Sequence, residues 1–411
     1  MQKFEKHSPV VVTEVTTKHE LRQFMQYPNR LYADNPNYIP SFYGDDLSDW
    51  TPGKNPAFDY CEARCWLAWR DGEIVGRIGA ILSHKANDKF GTHRMRFSQV
   101  DFVDDSEVSA ALFGMVERWA REKGCDQVHG PLGFTDMDRE GMLVEGFDRR
   151  SLFFTNYNAP YYLEHLTRLG YRKDVDWIEY RITVPAPGSA EAERLHKLSE
   201  FILKRKNLHV ATVHHKSEYG PFVRQVFELV NAAYAPLYGV VELSDEQIER
   251  YANKFIPLVD PEFVCFVLDK QDKLVAFGVT ALDPSVALKH SDGRLFPFGW
   301  AGVLNDLHHS DTLIMLLTAV RPDLQTEGIN AVMMDHVCQS CNRHGVQFAE
   351  TGPMLELNDH ILAQWKRLEK EQHKRRRCFI KDLNHDVNAA NTAAAAQAEA
   401  PETAPAAESA E

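Results

Sequence analysis

No apolar run in the 411 residues approaches the roughly 20 that a membrane-spanning helix needs. The opening residues, MQKFEKHSPVVV, show neither the apolar segment nor the small-residue cleavage site of a secretory leader. Cysteine is scarce and odd in number: the seven residues Cys61, Cys65, Cys125, Cys265, Cys338, Cys341 and Cys378 all lie in apolar or helical text. That predicts free thiols in a reducing compartment, hence a cytoplasmic protein, rather than a disulfide framework. Zinc spacing is missing as well. Cys338 and Cys341 have no second Cys or His pair to complete a site and read as buried thiols, while His214-His215 and His308-His309 read as solvated. A surplus of positive charge is also lacking, since the formal net charge is −13. Residues 384–411 hold five acids and no Lys or Arg, which leaves −8 for the rest. Such a body argues against a phosphate-tracking surface, so no nucleic-acid partner is expected.

What is present is an ordinary globular mixture, 44% hydrophobic and 26% charged, over a length that suits two domains. Residues 384–411, rich in Ala, Glu and Pro, have no periodic apolar pattern and are expected to be disordered. The stretch Pro185-Ala-Pro-Gly-Ser189 reads as a linker. The expected organisation is a domain over 1–185, a linker over 186–191, a second domain over 192–383 and the tail. Both halves repeat one order of elements. A hairpin (66–82; 263–282) precedes a strand (95–103; 312–320) and a helix (107–123; 328–344) closed by Gly124 or Gly345. A short strand then ends at Gly130-Pro131 or Gly352-Pro353, followed by a second helix (158–169; 358–371) and a last strand (177–184; 378–383). Matching punctuation predicts a tandem duplication of an α/β fold of the α+β type, each copy a mostly antiparallel sheet flanked by helices.

The most informative segment is Leu316-Leu-Thr-Ala-Val-Arg-Pro-Asp-Leu-Gln-Thr-Glu-Gly-Ile-Asn330. A β-branched apolar run stops at Arg321-Pro322, because proline has no N–H for strand pairing. A turn containing Gln325, Thr326, Glu327 and Gly328 then opens a helix. The first N–H groups of a helix lack intrahelical partners and sit at its positive end, so this turn suits a pyrophosphate.

Val320-x-Pro322-x-x-Gln325-x-x-Gly328-x-Asn330 resembles the acyl-CoA signature of the GNAT acyltransferase superfamily, with Asn330 where the family usually has Gly or Ala. Over nearly all of residues 1–383 the chain resembles uncharacterised bacterial tandem GNAT-like proteins. The resemblance implies that acetyl-CoA or a longer acyl-CoA is the co-substrate. The donor contacts it implies are Thr318, Ala319, Val320, Gln325, Thr326, Glu327, Gly328, Ile329 and Asn330. Asn358-x6-Trp365 is similar to the family's second motif and adds Asn358. Trp365 stands where the family has a Tyr that protonates the leaving thiolate, and an indole is no general acid. Glu350, ending the strand beside the motif, is the candidate base; its other reading is an ion-paired strand end. No metal is expected. The implied activity is N-acyl transfer by direct attack of an amine on the thioester. A non-catalytic acyl-CoA-binding or scaffold protein, and a tRNA-dependent aminoacyl transferase, are the alternatives.

In the first half the matching junction reads Asp104-Asp105-Ser106-Glu107, carboxylates where phosphates would sit, and resembles a degenerate copy that caps its own helix. The Gly- and acid-rich loop 129–148 carries Asp136, Asp138 and Glu140. It reads as an acceptor-binding or interface loop for a cationic amine, with a solvated loop and a hard-metal site as the other readings. Leu295–Leu304 reads as a core strand or as lining for a long-chain or lipid-like amine. Lys374-Arg-Arg-Arg377 reads as a solvated helix end or a contact to a ligand phosphate.

Overall fold

The computed structural model describes residues 8–383; the tail expected to be disordered lies outside them. The first half runs β1 (Val11–Glu14), α1 (Lys18–Leu31), α2 (Tyr43–Asp49), β2 (Cys61–Arg70), β3 (Glu73–Ser83), α3 (His84–Phe90) and β4 (Arg94–Phe102). It continues through α4 (Ser106–Glu122), β5 (Gln127–Gly130), β6 (Met142–Glu145), α5 (Tyr162–Arg168) and β7 (Arg172–Thr183). The second half begins with α6 (Ala190–Lys206), β8 (His209–Val210), α7 (Gly220–Tyr234), α8 (Asp245–Phe255), β9 (Val264–Leu268), β10 (Leu274–Leu282) and α9 (Ser285–His290). Then come α10 (Gly299–His309), β11 (Thr312–Val320), α11 (Asn330–His344), β12 (Phe348–Glu350), β13 (Met354–Leu355), α12 (Asp359–Ala363) and β14 (Lys370–Asp382).

Strand alternation places neighbouring residues on opposite faces, and both halves use it in the same way. Trp66, Ala68, Ile78 and Ala80 face the core under α4 and α5, whereas Cys65, Leu67 and Ile81 face α1. In the second half Phe266 and Phe277 pack under α7 and α8, whereas Cys265, Val267 and Val275 pack under α6 and α11. The β2–β3 hairpin turns on Asp71 and Gly72, both at positive φ (52° and 82°), as its Asp-Gly dipeptide predicts. The helix expected to stop at Gly345 does so, with that residue in the left-handed conformation. The fold is the mixed α/β architecture expected, with helices flanking the sheet.

All fourteen strands form one sheet, ordered β1-β2-β3-β4-β5-β14-β7-β12-β11-β10-β9-β8, with β6 on β14 and β13 on β7. The strand closing each half in sequence therefore sits beside the other half: β7 pairs with β12, and β14 pairs with β5. The two long closing strands also pair with each other, antiparallel from Lys370↔Ile182 to Ile380↔Arg172.

This pairing corrects the reading of Lys374–Arg377. The run is not a helix end; it lies in β14, and the expected helix over 358–371 shrinks to Asp359–Ala363. Its charges are matched across the strands. Arg376 Nε donates to Glu179 Oε1 at 2.5 Å, and Lys374 Nζ lies 3.2 Å from Glu350 and 3.6 Å from Glu179, with Lys374, Arg376 and Glu179 fully buried. Arg375 and Arg377 both donate to Asp176. Buried charges persist only when paired in this way. Leu295–Leu304 is also corrected: it is a loop running into α10, and its aromatic side chains face solvent.

Candidate active site

β11 is paired on one edge with β10 from Leu313 to Val320, but on the other with β12 only over Thr312, Ile314 and the residue between them. Beyond that point the parallel strands part, and the edge of β11 from Met315 onward has no strand beside it. A bulge leaves Leu316 out of register between the pairs Val279↔Leu317 and Thr280↔Met315. Two cavities open at this notch. One, of about 180 Å³, is walled by Thr318, Asn330, Met333, Met334 and Trp365. The other, of about 240 Å³, reaches under α7 and α8 between Val226, Phe227, Phe266 and Phe255. Tyr234, Leu316, Leu317 and Gly352 line both, so the two are joined.

The first cavity abuts the strand–helix junction. No side chain caps α11, and its first turn holds no acid, so its N–H groups and positive pole are open. Gly328 adopts φ +80°, and a Cβ there would lie 3.1 Å from Ile202, so a larger residue is strained twice over. Glu327 is turned outward onto Lys206 at 2.5 Å. Gln325 and Thr326 are exposed, Ile329 is buried, and Ala319 and Val320 are buried on the strand. Asn358 serves as the N-cap of α12, its Oδ1 accepting from Ile361 N at 3.3 Å. Trp365 reaches the cavity wall, but its indole N–H is directed at Met354 Sδ, 3.2 Å away.

Asp136, Asp138 and Glu140 all line the second cavity, brought there by a loop of the first half. They are not equivalent. Asp138 Oδ2 accepts from Phe134 N and Thr135 N at 2.8 and 3.1 Å, and its Oδ1 accepts from the Tyr251 hydroxyl, so it is committed to holding the loop. Asp136 Oδ1 is buried without a hydrogen-bond partner. Burial pushes the Asp136 carboxyl up to about 6, with the Asp138 charge adding to the rise. Burial, followed by the charge of Asp136, pushes Glu140 upward as well. Tyr234, which sequence reasoning missed, stands where the cavities join. Its hydroxyl donates to the Thr318 carbonyl at 2.8 Å.

Glu350 lies elsewhere. Its carboxylate meets Lys374 and, at 3.8 Å, His373, and it lines neither cavity. Burial raises its pKa, and the Lys374 ammonium opposes the rise. A third group brings His129, Asp174 and Cys378 within 4.8 Å of one another, but the Tyr238 hydroxyl is bonded to all three. Arg94 and Arg96 hold His129 further toward the neutral form, after burial itself. Cationic neighbours and a filled centre make this a hydrogen-bonded strut between Tyr238 and strands β5, β7 and β14.

No protein-family profile matches the sequence. Protein YghO of Escherichia coli (strain K12) is 27% identical over 383 residues, covering 91% of this chain and 95% of that protein. The bacterial ceramide synthase of Caulobacter vibrioides (strain NA1000 / CB15N) is 28% identical over 300 residues, covering 71% and 75%. Among solved structures, a tandem GNAT protein from the clavulanic acid biosynthesis pathway aligns with 91% of this chain and 98% of its own, at TM-score 0.52 and 14% identity. The GCN5-related glucosamine N-acetyltransferase region of a fungal multi-domain GH3 β-N-acetylglucosaminidase aligns with 92% of this chain and 38% of its own, at TM-score 0.52 and 11% identity. At these identities the structural likeness is one of fold, and by that fold the chain resembles the GNAT superfamily in a tandem arrangement.

Proposed function

We propose that the protein moves an acyl group from acyl-CoA to the amine of a small, long-chain or lipid-like acceptor. The observation that carries this reading is the pair of joined cavities. One begins at an uncapped helix N-terminus and an unpaired strand edge; the other ends in an apolar chamber with an unpartnered carboxylate oxygen in its wall. The residues present fit an acyl-CoA donor. The N–H groups around Gly328–Asn330 take the pyrophosphate, and the free edge of β11 through Thr318, Ala319 and Val320 pairs with the pantetheine arm. The printed name of the C. vibrioides relative, and the apolar walls of the second cavity, support a lipid-like acceptor.

In this scheme the acceptor enters as an ammonium and is met by Asp136 and Glu140. Asp136 takes the proton, and its raised pKa places it near the operating range of a general base. The freed amine attacks the thioester carbonyl, the C–N bond forms and the C–S bond breaks. Tyr234 supplies a proton to the leaving thiolate, the role that Trp365 cannot fill. Holding both reactants at one notch supplies much of the acceleration. Glu350 is the competing base. The two assignments separate cleanly: Asp136→Asn should lower turnover by ~10²-fold or more with acyl-CoA affinity unchanged, while Glu350→Gln should act mainly on thermal stability. The reverse pattern would move the base to Glu350. Trp365, with its N–H directed at Met354, favours a second reading, a non-catalytic acyl-CoA-binding protein. Thiol release from an acyl-CoA panel in the presence of long-chain amines decides between these. Binding of charged tRNA in place of acyl-CoA would point instead to an aminoacyl transferase.

A further inference from the structure

An ordinary surface helix turns its polar side outward. The segment from α9 through α10 inverts that rule. Phe296 is 82% exposed, Phe298 80%, Val286 50%, Trp300 47% and Leu304 46%. Of the ten large hydrophobic residues exposed among the described residues, these five fall within one stretch of 19. Trp300, Leu304 and His308 follow at helical spacing, so one face of α10 presents an aromatic ring, an aliphatic chain and an imidazole in line. Clusters of this kind mark interaction sites.

We propose that this face docks the protein on the surface of a lipid bilayer. The charge around it suits an anionic headgroup layer. His290, Arg294, His308 and His309 are exposed at its rim. Asp292 is the exposed acid there, since the Asp306 carboxylate is occupied with Ala287 N at 2.7 Å. In a chain of net charge −13 this is a patch that an anionic membrane does not repel. Phe and Trp on one side of a short amphipathic element are the composition that settles in the headgroup–acyl boundary. The rest of the chain offers no cover for it: residues 1–7 and 384–411 together contain Met1, Phe4 and Val387 as their large hydrophobic side chains.

The platform is also fixed in place. Tyr43 N donates to Gly293 O at 3.0 Å, Asn29 Nδ2 to Asp292 O at 3.1 Å, and Lys289 Nζ to Asn35 O at 2.7 Å. Gly293, at φ +74°, packs so closely that a Cβ would lie 1.9 Å from Ser41 O. Beneath the exposed rings, Ala287, Leu288 and Val303 join an apolar cluster that continues to Phe154 and Leu316, both in the wall of the acceptor cavity. The docking face thus lies over the chamber proposed for a lipid-like amine. That purpose rests on the proposed function, but the docking itself does not.

The test is flotation of the full chain with vesicles of phosphatidylethanolamine and phosphatidylglycerol. The wild-type protein should float with the vesicles. The variant Phe296→Ser/Phe298→Ser/Trp300→Ser should bind at least about tenfold more weakly, with an unchanged circular dichroism spectrum and unchanged acyl-CoA affinity. Since all three side chains are exposed, the fold should tolerate the changes. A conservative variant, Phe298→Trp, should bind like the wild type. A wild-type chain that stays with the soluble fraction, or a triple variant that floats equally well, overturns the proposal. So does a wild-type dimer in sedimentation equilibrium that the triple variant converts to monomer, because a second copy would then be the cover. Loss of turnover in Asp136→Asn with flotation intact would touch only the catalytic reading, so the two fail separately.

Discussion

Two strand–helix junctions occupy the same point in two copies of one fold and have opposite chemistry. At the first, β4 leads into α4, and Asp105 accepts from Glu107 N and Val108 N, so the helix start is satisfied by its own chain. Arg70 then pairs with Asp105 and Glu107, closing the site from outside. At the second, β11 leads into α11 with no cap, no acid in the first turn and Gly328 at the approach. The notches behind the junctions differ in the same sense. β4 parts from β5 after Arg96↔His129 just as β11 parts from β12 after Ile314↔Glu350. Yet the first notch is filled by the buried ion pair of Arg77 with Asp101, 2.7 Å apart, and Arg77 also donates to Phe24 O. A duplicated fold has kept one cleft for ligand and used the other for stability.

The comparison breaks most decisively at Gly328. Gly328→Glu adds bulk at a positive-φ position and a charge beside the helix start, and should abolish acyl-CoA binding. Calorimetry should find one donor site per chain in the wild type and none in the variant. Two sites would mean that the first junction also binds. Next in size is the pH dependence of turnover. A base with its pKa near 6 accepts a proton only when ionised, so kcat/KM should fall as pH drops through about 6. Because the folded value lies above the unfolded one, ionised Asp136 costs stability above that pH. Asp136→Asn should therefore raise Tm at pH 8, and the gain should vanish near pH 4. A third test concerns the filled notch. Arg77→Met leaves Asp101 buried without its partner and should cost ~3–5 kcal/mol in denaturant unfolding, with the acyl-CoA affinity of the surviving folded protein unchanged. The smallest effect is expected from Asp104→Asn with Asp105→Asn. Asn caps helices nearly as well as Asp, so stability should fall by less than ~1 kcal/mol and the donor stoichiometry should stay at one.

What the sequence disclosed was what local text can carry. The element order, Gly345 as a helix stop, Asp105 as a cap and the turn at Gly328 all follow from spacing and residue type within a few positions. The acceptor loop was legible as unusual, but not the division of labour within it, since Asp138 is occupied by backbone N–H groups and by Tyr251, 113 residues away. Lys374–Arg377 read as solvated because its counter-charges, Asp176 and Glu179, lie almost 200 residues upstream on β7. Tyr234 had no signal, being one aromatic at the end of an amphipathic helix. The 295–304 run was recognised as apolar, but periodicity does not reveal which face of a helix has no partner.

The exchanged strands carry a consequence for how the chain is made. Translation delivers β5 early, but its neighbour β14 begins at Lys370, after almost all of the chain. Until then the first half presents an open parallel-strand edge, and Asp176 and Glu179 on β7 wait without their arginines. Pairings this distant in sequence pay loop-closure entropy before they gain contacts and fold slowly. The nascent first half should therefore be protease-sensitive until the last strand is free, and a fragment ending at residue 185 should stay so. The same stitching runs in reverse during unfolding, because neither half can leave the sheet without drawing out a strand that belongs to the other.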